Sequence, residues 1–502
     1  MRRFILLLTA VMTVNVLAAC ADRPVPAALL LTAPPLTDQL APGRDKFLLA
    51  FTDGMTPEAL RERTSELGGR VDAILSGAGI AIVSDLTSAG AAELAAVPGV
   101  EAVAEDFTIS TGGDDEEADA FGPVEPVRRV ADAGVLDDTH NQKRLPSEAA
   151  NYAAQWNMRI IEAPAAWEQG VFGSPSVRVY LLDTGVDYTR VDLRGHVDTD
   201  RSISFVPGDA LGEYSAAAAA GVEPYMDFHS HGTAVASTIV SRGIKLAGVT
   251  TKTKIVAVKI LDRSRTGDFS TFVQGLKYAA DDGADIIHVS LAHNGFKRAD
   301  PKAQPIIAMF ERMTKYAHEQ GAVIVVAAGN NAANLDDGVT WRPCNAPFVV
   351  CVSATGPSDK PASYSNYGVR TIAVAGPGGE APAGERVLVN CSSYGAVTTG
   401  NVAVCAAGAP HFSTTGTTYG AAATSGLLAL IVREIGRNNP DAARDVLTSS
   451  ADDLGAPGRD KSYGYGRINV RKALVQLGVI PKEPVVAHAA IVFGGRQPLI
   501  TP

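Results

Sequence analysis

Several features typical of other protein classes are scarce in this sequence. Basic residues are outnumbered, with 44 Lys and Arg against 54 Asp and Glu and a net charge of −10. This balance argues against nucleic-acid binding, which depends on basic patches that contact phosphates. Beyond the first twenty residues, no apolar run is long enough to span a bilayer. Hydrophobic residues make up 46% of the 502 residues, a content that excludes a wholly disordered chain and is typical of about two to three folded units.

The N-terminal segment predicts export. Two arginines precede a short apolar stretch that begins at Phe4, which is the pattern of a signal peptide. The sequence Leu17–Cys20 resembles a bacterial lipobox, in which Cys20 is lipidated and becomes the mature N-terminus. The alternative is an ordinary signal peptide cut near Ala19. Because Ala21 rather than Asp follows the cysteine, the resemblance to Gram-negative lipoproteins implies a lipid anchor in the outer membrane.

Export changes the interpretation of the cysteines. The chain has only five, and four remain if Cys20 is lipidated. An even number in an oxidising compartment predicts two disulfides, for which three connectivities are possible. The simplest are the local pairs Cys344–Cys351 and Cys391–Cys405, and the alternative is four buried free thiols. A zinc site is disfavoured, because neither pair has a CxxC spacing and only His411 lies nearby.

A small unit precedes the main part of the chain. Between Lys46 and Ile109, strand and helix signals follow each other in the order β-α-β-β-α-β, and one helix start is marked by Thr56 and Pro57. This order predicts an α+β, ferredoxin-like fold. The acidic run Asp114–Glu117 and the proline-containing residues after it predict a flexible linker.

The main part of the chain alternates strand and helix signals. Continuous apolar runs, typical of strands buried on both faces of a parallel sheet, occur at Val177–Leu182, Ile255–Ile260, Asp285–Val289 and Ala322–Ala327. Helical stretches lie between them, and the alternation predicts an α/β fold with a doubly wound, mostly parallel sheet. Ligands bind beyond the carboxyl ends of such strands. Asp183 and Asn330 both lie just past a predicted strand end.

Several motifs in this region resemble those of the subtilisin-like proteases (subtilases, peptidase family S8). They occur in the family's order at Val179–Val186, His231–Ser237, Ala327–Asn330, Gly416–Thr418 and Gly464–Asn469. The resemblance extends over about Trp156–Leu477 and implies a subtilisin-like peptidase domain. It also implies that the leading unit is the family's inhibitory propeptide, so that the partners would be a peptide or protein substrate and the chain's own propeptide.

The resemblance and the composition together divide the chain into six segments. We predict a signal peptide at 1–19, a lipidated tether at 20–43, a propeptide- or inhibitor-like domain at 44–110, an acidic linker at 111–150, a peptidase domain at 151–480 and a C-terminal tail at 481–502.

The resemblance also implies a role for individual residues. His231 would accept the proton of the nucleophile, and Asp183 would hold the imidazole in the required tautomer. Asn330 would donate its side-chain amide to the oxyanion of the tetrahedral intermediate. We expect no cofactor and no metal site, since the loop Arg242–Val249 lacks an insertion that supplies calcium ligands in some members. The substrate cleft would be lined by Ser290, Leu291, Ala292, Ala327, Ala328 and Gly329, of which the first three would form an edge strand for an extended peptide.

The nucleophile position departs from the family pattern. The family has a serine followed by small residues and a proline, whereas this chain has Thr418, Tyr419 and, in place of the proline, Ala422. Threonine keeps a hydroxyl that His231 could deprotonate, but its γ-methyl restricts χ1 and crowds the attack. Known threonine nucleophiles generally use their own terminal amine as base, which an internal threonine lacks.

Two functions therefore remain open. The first is an endopeptidase with a threonine nucleophile, and it is favoured because Asp183, His231 and Asn330 are all retained. The second is a pseudoprotease that binds a peptide or a protein partner at the cell envelope without cutting it. The substituted nucleophile, Tyr419 and the missing proline favour this second function.

Overall fold

The computed structural model describes residues 45–110, 145–206, 213–291, 295–381, 384–394, 398–399, 402–403 and 410–482. The predicted signal peptide and tether, with Cys20, lie outside these residues, as do Ala292, Cys405, the acidic run of the linker and most of the C-terminal tail. Among the helices of the described ranges, none is both long and apolar enough to cross a membrane.

The leading unit has the predicted order of elements. These are β1 (Asp45–Phe51), α1 (Pro57–Glu66), β2 (Arg70–Leu75), β3 (Ile80–Leu86), α2 (Ser88–Ala95) and β4 (Val100–Glu105), followed by the short strand β5 (Thr108–Ser110). The first four strands form an antiparallel sheet in the order β2-β3-β1-β4. The Thr56 hydroxyl caps α1 by accepting a hydrogen bond from the Ala59 amide, as the Thr-Pro signal predicts.

The main domain consists of a central sheet with helices on both faces. Its helices are α3 (Trp156–Ile160), α4 (Pro164–Glu168), α5 (Glu213–Ala220), α6 (His231–Ile239), α7 (Phe269–Asp281), α8 (Ala303–Glu319), α9 (Thr417–Ile435), α10 (Pro440–Ser449) and α11 (Val470–Gln476). Its strands are β6 (Arg178–Asp183), β7 (Ile203–Ser204), β8 (Lys254–Lys259), β9 (Thr266–Asp268), β10 (Ile286–Val289), β11 (Phe296–Lys297), β12 (Val323–Ala327), β13 (Thr340–Trp341), β14 (Val349–Thr355), β15 (Val374–Pro377), β16 (Val387–Asn390), β17 (Thr398–Thr399), β18 (Val402–Ala403) and β19 (His411–Thr414).

The central sheet confirms the predicted fold class. It has seven strands in the order β15-β14-β12-β10-β6-β8-β7, and its pairings are parallel. One face packs against α6 and α9 through residues such as Val235 and Leu427. The other face packs against α7 and α8 through residues such as Phe272 and Phe310. Because β6, β10 and β12 are neighbours and parallel, the residues that follow them meet at one edge of the sheet.

The leading unit packs on α7 and α8. Apolar residues of its sheet, including Leu48 and Ile82, share a single core cluster with residues of both helices. Arg312 of α8 donates hydrogen bonds to the carbonyl oxygens of Phe51 and Gly79, both at 3.2 Å, and forms an ion pair with Glu101. The docked unit places β5 beside β9.

One of the two predicted disulfides is confirmed. Cys344 and Cys351 are joined, so for these two residues the alternatives of free thiols and of a zinc site are wrong. Cys391 is also disulfide-bonded, while its predicted partner Cys405 lies outside the described residues. Within the described ranges, no group of three or more His, Cys, Asp or Glu side chains is placed to hold a metal ion.

The Cys344–Cys351 bond closes a short loop, with a sequence separation of seven residues. Since a cross-link restricts mainly the unfolded chain, we expect the double variant Cys344→Ala/Cys351→Ala to lose about 2 kcal/mol of unfolding free energy. Denaturant unfolding of the parent and the double variant measures the difference. An unchanged midpoint would show that this disulfide does not stabilise the fold.

Candidate active site

The end of β6 and the start of α6 bring a carboxylate and an imidazole together. The Asp183 side chain is fully buried, and that of His231 is 13% exposed. The His231 Nδ1 atom lies 2.8 Å from Asp183 Oδ1 and 2.9 Å from Oδ2. Because the carboxylate holds a proton on Nδ1, the other ring nitrogen, Nε2, is the one that can accept a proton.

A second buried carboxylate, Asp227, holds the loop that leads into α6. Its oxygens accept hydrogen bonds from the backbone amides of His229, Ser230 and Thr233, each at 2.9 Å. They also accept from the hydroxyls of Thr233 at 2.6 Å and Thr184 at 2.9 Å. Burial raises the pKa of Asp227, and the hydrogen bonds counteract this effect. Asp227 was not recognised from the sequence, where its place four positions before a candidate catalytic histidine is the available signal.

A glycine allows the two catalytic segments to approach each other. The Gly232 amide donates a hydrogen bond to the Thr184 hydroxyl at 3.0 Å. A Cβ atom on Gly232 would lie only 2.0 Å from the carbonyl oxygen of Gly185, so no other residue fits here without a backbone shift. This contact explains the glycine that follows His231 in the sequence motif.

The loop after β12 presents Asn330 to the start of α9. Asn330 Oδ1 accepts hydrogen bonds from the Thr417 amide at 3.0 Å and from its hydroxyl at 2.9 Å. These bonds fix the rotation of the carboxamide, whose Nδ2 is its donor end. Nδ2 lies 3.7 Å from the place that a Cβ of Gly416 would take. The donor end therefore lies close to the residues that immediately precede Thr418.

Asn366 holds the same loop through hydrogen bonds to its backbone. It is buried, and its Oδ1 accepts hydrogen bonds from the amides of Asn331 at 3.1 Å and Ala333 at 2.7 Å. Its Nδ2 donates to the Ala328 carbonyl oxygen at 2.8 Å. The loop that carries Asn330 has no regular secondary structure, and these hydrogen bonds hold it in a defined place. Neither Asn366 nor Thr417 was recognised from the sequence.

Thr418 is the second residue of α9 and is 8% exposed. Its neighbour Tyr419 packs with Ala234 of α6 in a small apolar cluster that also includes Val387, Val389, Cys391 and Phe412. The helices that carry His231 and Thr418 are therefore in direct contact. The hydroxyl belongs to the first turn of a 19-residue helix, where the helix dipole favours negative charge.

The residues predicted to line the substrate cleft follow two neighbouring strands. Ser290 and Leu291 come directly after β10, and both are buried. Ala327 is the last residue of β12, and it is followed by Ala328 and Gly329. Because β10 and β12 pair in parallel, the two segments leave the sheet side by side.

One further segment near the catalytic pair was not recognised from the sequence. Strand β9 pairs antiparallel with β5 of the leading unit, with Gly267 opposite Ile109. A Cβ on Gly267 would lie 2.2 Å from the Ile260 carbonyl oxygen, and the Ile260 amide donates to the Asp183 carbonyl at 3.0 Å. The leading unit therefore occupies the edge of a strand that lies close to Asp183.

A polar group is buried between the sheet and α9. His288 Nδ1 lies 3.0 Å from the Ser425 hydroxyl, and its Nε2 lies 2.7 Å from the Ser290 hydroxyl. Burial lowers the pKa of His288 to about 4, and the nearby Asp183 carboxylate offsets this effect only in part. His288 is therefore neutral at pH 7.

These groups together supply the kinds of side chain that acyl transfer needs. A carboxylate orients an imidazole, a hydroxyl lies at a helix N-terminus in the contacting helix, and a carboxamide of fixed rotation lies beside that terminus. A nucleophile, a base with its orienting group and an oxyanion donor are the parts that acyl transfer requires. The catalytic roles of Asp183, His231, Asn330 and Thr418 remain predictions.

Comparison with known proteins identifies the family and related sequences. Residues 174–466, more than half of the chain, match the subtilase family, peptidase S8. A thermophilic serine proteinase of Bacillus sp. strain AK1 is 29% identical over 382 residues, which cover 76% of this chain and 80% of the relative. The cell wall-associated protease of Bacillus subtilis strain 168 is 31% identical over 322 residues, which cover 59% of this chain and 30% of that longer relative.

A solved structure supports the fold. The epidermin leader peptide processing serine protease of Staphylococcus aureus superposes with a TM-score of 0.66 at 18% identity. The match covers 86% of this chain and 98% of the other.

The buried His288 predicts a pH dependence of stability. Its pKa of about 4 in the folded chain lies below the ordinary value of 6.5. As the pH falls below about 6.5, the unfolded chain takes up a proton that the folded chain does not bind, so stability is lost between about pH 6.5 and 4. The loss amounts to about 3 kcal/mol.

The variant His288→Phe lacks this group and should lose less stability on acidification. We expect the difference in unfolding free energy between the parent and this variant to narrow by about 3 kcal/mol from pH 7 to pH 4. Denaturant unfolding at each pH measures it. A buried-polar control on α8, Thr314→Val, should keep the parent's pH profile, and a pH-independent difference for His288→Phe would contradict the prediction.

Proposed function

Since the chain belongs to the subtilase family of peptide-hydrolysing serine proteases, we propose that it cuts peptide bonds with Thr418 as its nucleophile. His231 is the general base, Asp183 orients it, and Asn330 is the oxyanion donor. The observation that carries the proposal is the contact of His231 Nδ1 with both oxygens of the buried Asp183, at 2.8 and 2.9 Å.

The proposed reaction has two halves. The Thr418 hydroxyl oxygen attacks the scissile carbonyl carbon while His231 Nε2 takes the hydroxyl proton. The imidazolium then gives this proton to the leaving amine, and the peptide C–N bond breaks to leave an acyl ester on Thr418. A water molecule, deprotonated by the same imidazole, attacks the ester, and the returning proton restores the Thr418 hydroxyl.

Asn330 supports this reaction through its fixed rotation. Because its Oδ1 is held by the Thr417 amide and hydroxyl, the carboxamide does not have to reorient as charge develops on the substrate oxygen. A donor that is positioned in advance stabilises the transition state without a reorganisation cost. The first turn of α9 adds a favourable field for the same negative charge.

The methyl group of Thr418 separates this proposal from the pseudoprotease alternative. Threonine has fewer accessible χ1 rotamers than serine, and only a rotamer that directs the hydroxyl to the imidazole supports attack. If packing around α9 forces the methyl group toward His231, the site binds peptide without cutting it.

Variants at the nucleophile distinguish the two functions. We expect the parent to hydrolyse a fluorogenic peptide library and Thr418→Ala and His231→Ala to lose at least about 10³-fold in kcat/KM, since each removes a reacting group. Thr418→Ser should be at least as active as the parent because it keeps the hydroxyl and removes the methyl group.

The control for loss of a threonine hydroxyl elsewhere is Thr448→Ala on α10, which should retain parent activity. A silent parent with an active Thr418→Ser variant would instead establish a site that is intact except for its nucleophile, as the pseudoprotease alternative requires.

We further propose that residues 44–110 form an inhibitory propeptide. Strand β5 lies antiparallel on β9, and the Phe107 ring stacks on Phe269 at a centroid distance of 5.0 Å. Ile109 is buried in the same core cluster as Phe269 and Leu291. A strand in this place competes with an extended substrate for the edge of β9.

Loosening the leading unit should increase the activity of the full chain. Arg312→Ala removes the hydrogen bonds to the Phe51 and Gly79 carbonyl oxygens, so we expect peptide hydrolysis to rise about 5- to 30-fold, as for an equilibrium shifted by 1–2 kcal/mol. The control Arg471→Ala, on α11, should not change the rate. Equal rates for all three proteins would contradict a blocking role.

The N-terminal segment and the relatives support a proposal for the location of the protein. We propose export, followed by lipidation of Cys20 and anchoring at the cell envelope, in the outer membrane if the source is Gram-negative. The name of the cell wall-associated relative supports export. With the catalytic domain more than a hundred residues beyond the anchor, its substrates would be peptides or proteins at the envelope.

A further inference from the structure

His288 is a buried polar residue that the catalytic reaction does not use. It lies on β10, and in the parallel register it is opposite Leu181 of β6 and Val325 of β12. Apolar side chains of those strands and of α9 form the surrounding core. A histidine buried in this core loses its hydrogen bonds to water. Hydrogen bonds to protein groups must replace them if the fold is to tolerate the ring.

The ring is satisfied by one serine at each nitrogen. A neutral imidazole has one N–H donor and one acceptor nitrogen. With Ser425 at Nδ1 and Ser290 at Nε2, one hydroxyl receives the ring proton and the other donates its own proton to the ring. The two serines are 135 residues apart in the sequence, and the ring joins the strand that ends at the cleft to the helix that carries the nucleophile.

Helix geometry gives the Ser425 contact a direct consequence for Thr418. The two residues are seven positions apart on α9, which is almost two full turns at 3.6 residues per turn. They therefore lie on the same face of the helix, about 10 Å apart along its axis. A hydrogen bond that fixes the rotation of α9 at Ser425 also fixes the direction in which Thr418 projects.

The contact with Ser290 fixes a residue of the predicted substrate cleft. Val289 pairs with Leu182 in the parallel register, so the next residues, Ser290 and Asp183, leave the sheet at the same level. We propose that His288 is a positioning residue for peptide hydrolysis, which holds the nucleophile helix through Ser425 and the cleft residue Ser290 through its second nitrogen. This inference rests on the proposed function, because it assumes that Thr418 and Ser290 face the same substrate.

Two amide substitutions separate the two contacts. The Asn side-chain nitrogen can take the place of imidazole Nδ1, and that of Gln can take the place of Nε2. We therefore expect His288→Asn to keep kcat within about threefold of the parent while KM rises about tenfold. His288→Gln should keep KM and lose about tenfold in kcat, and His288→Phe should show both losses, about 100-fold in kcat/KM.

Single substitutions of the two serines that contact His288 should separate the effects on kcat and KM in the same way. Ser425→Ala should lower kcat alone, and Ser290→Ala should raise KM alone. Adding Ser425→Ala to His288→Phe should cause no further loss in kcat, because the interaction is already absent. The control is Thr314→Val on α8, whose buried hydroxyl donates to a carbonyl of its own helix and which should leave both constants unchanged.

The same series in a Thr418→Ser background separates this inference from the proposed function. If only the Thr418→Ser background is active, the proposal that Thr418 acts as the nucleophile is wrong. The effects of the His288 variants can still be measured in that background. If neither background hydrolyses peptide, the Ser290 contact is tested by binding of a fluorescent peptide to the Thr418→Ala protein. In that background, His288→Gln should bind with the same affinity as the unchanged His288, and His288→Asn should bind about tenfold more weakly. Equal effects of His288→Asn and His288→Gln in either assay would overturn the positioning role. So would a folded His288→Phe variant whose kinetic constants match those of Thr314→Val.

Discussion

The contact between Asp183 and His231 is the constraint on which the rest of the site depends. A carboxylate with no solvent exposure is stable only if donors surround it, and here the Thr184 amide at 2.7 Å and the His231 imidazole provide them. The strand end and the helix start must therefore meet closely, which explains the glycine at 232. The buried Asp227, with five hydrogen bonds from its neighbours, keeps the intervening loop in the conformation that this meeting requires.

The same sheet edge also organises the groups that would act on the substrate. Strands β6, β10 and β12 are parallel neighbours, so Asp183, Ser290 and Asn330 leave the sheet together. Helix α9 packs on their common face and is tied to them at two places, by Thr417 to Asn330 and by Ser425 to His288. The leading unit shares a core cluster with residues of β6 and β10, and its strand β5 lies on the neighbouring edge of β9.

The sequence predicts the scaffold better than the contacts within it. Buried parallel strands appear as continuous apolar runs and helices as capped periodic segments, so the doubly wound sheet and the leading β-α-β-β-α-β unit could be derived. The residues in the motifs, Asp183 and His231, were placed correctly at strand and helix ends. Asn366, Thr417 and His288 were not found, because their partners are distant in the chain and only folding brings them together. The Cys344–Cys351 pair was predictable because its loop is short.

Covalent labelling of Thr418 tests the central claim most directly. A peptidyl phosphonate diester reacts only with a hydroxyl that the imidazole has activated, and peptide mapping by mass spectrometry locates the adduct. We predict an adduct on Thr418 in the parent that is absent in His231→Ala, where the hydroxyl remains but the base is gone. An unlabelled Thr418 in the parent, beside a labelled serine in Thr418→Ser under the same conditions, would contradict a threonine nucleophile.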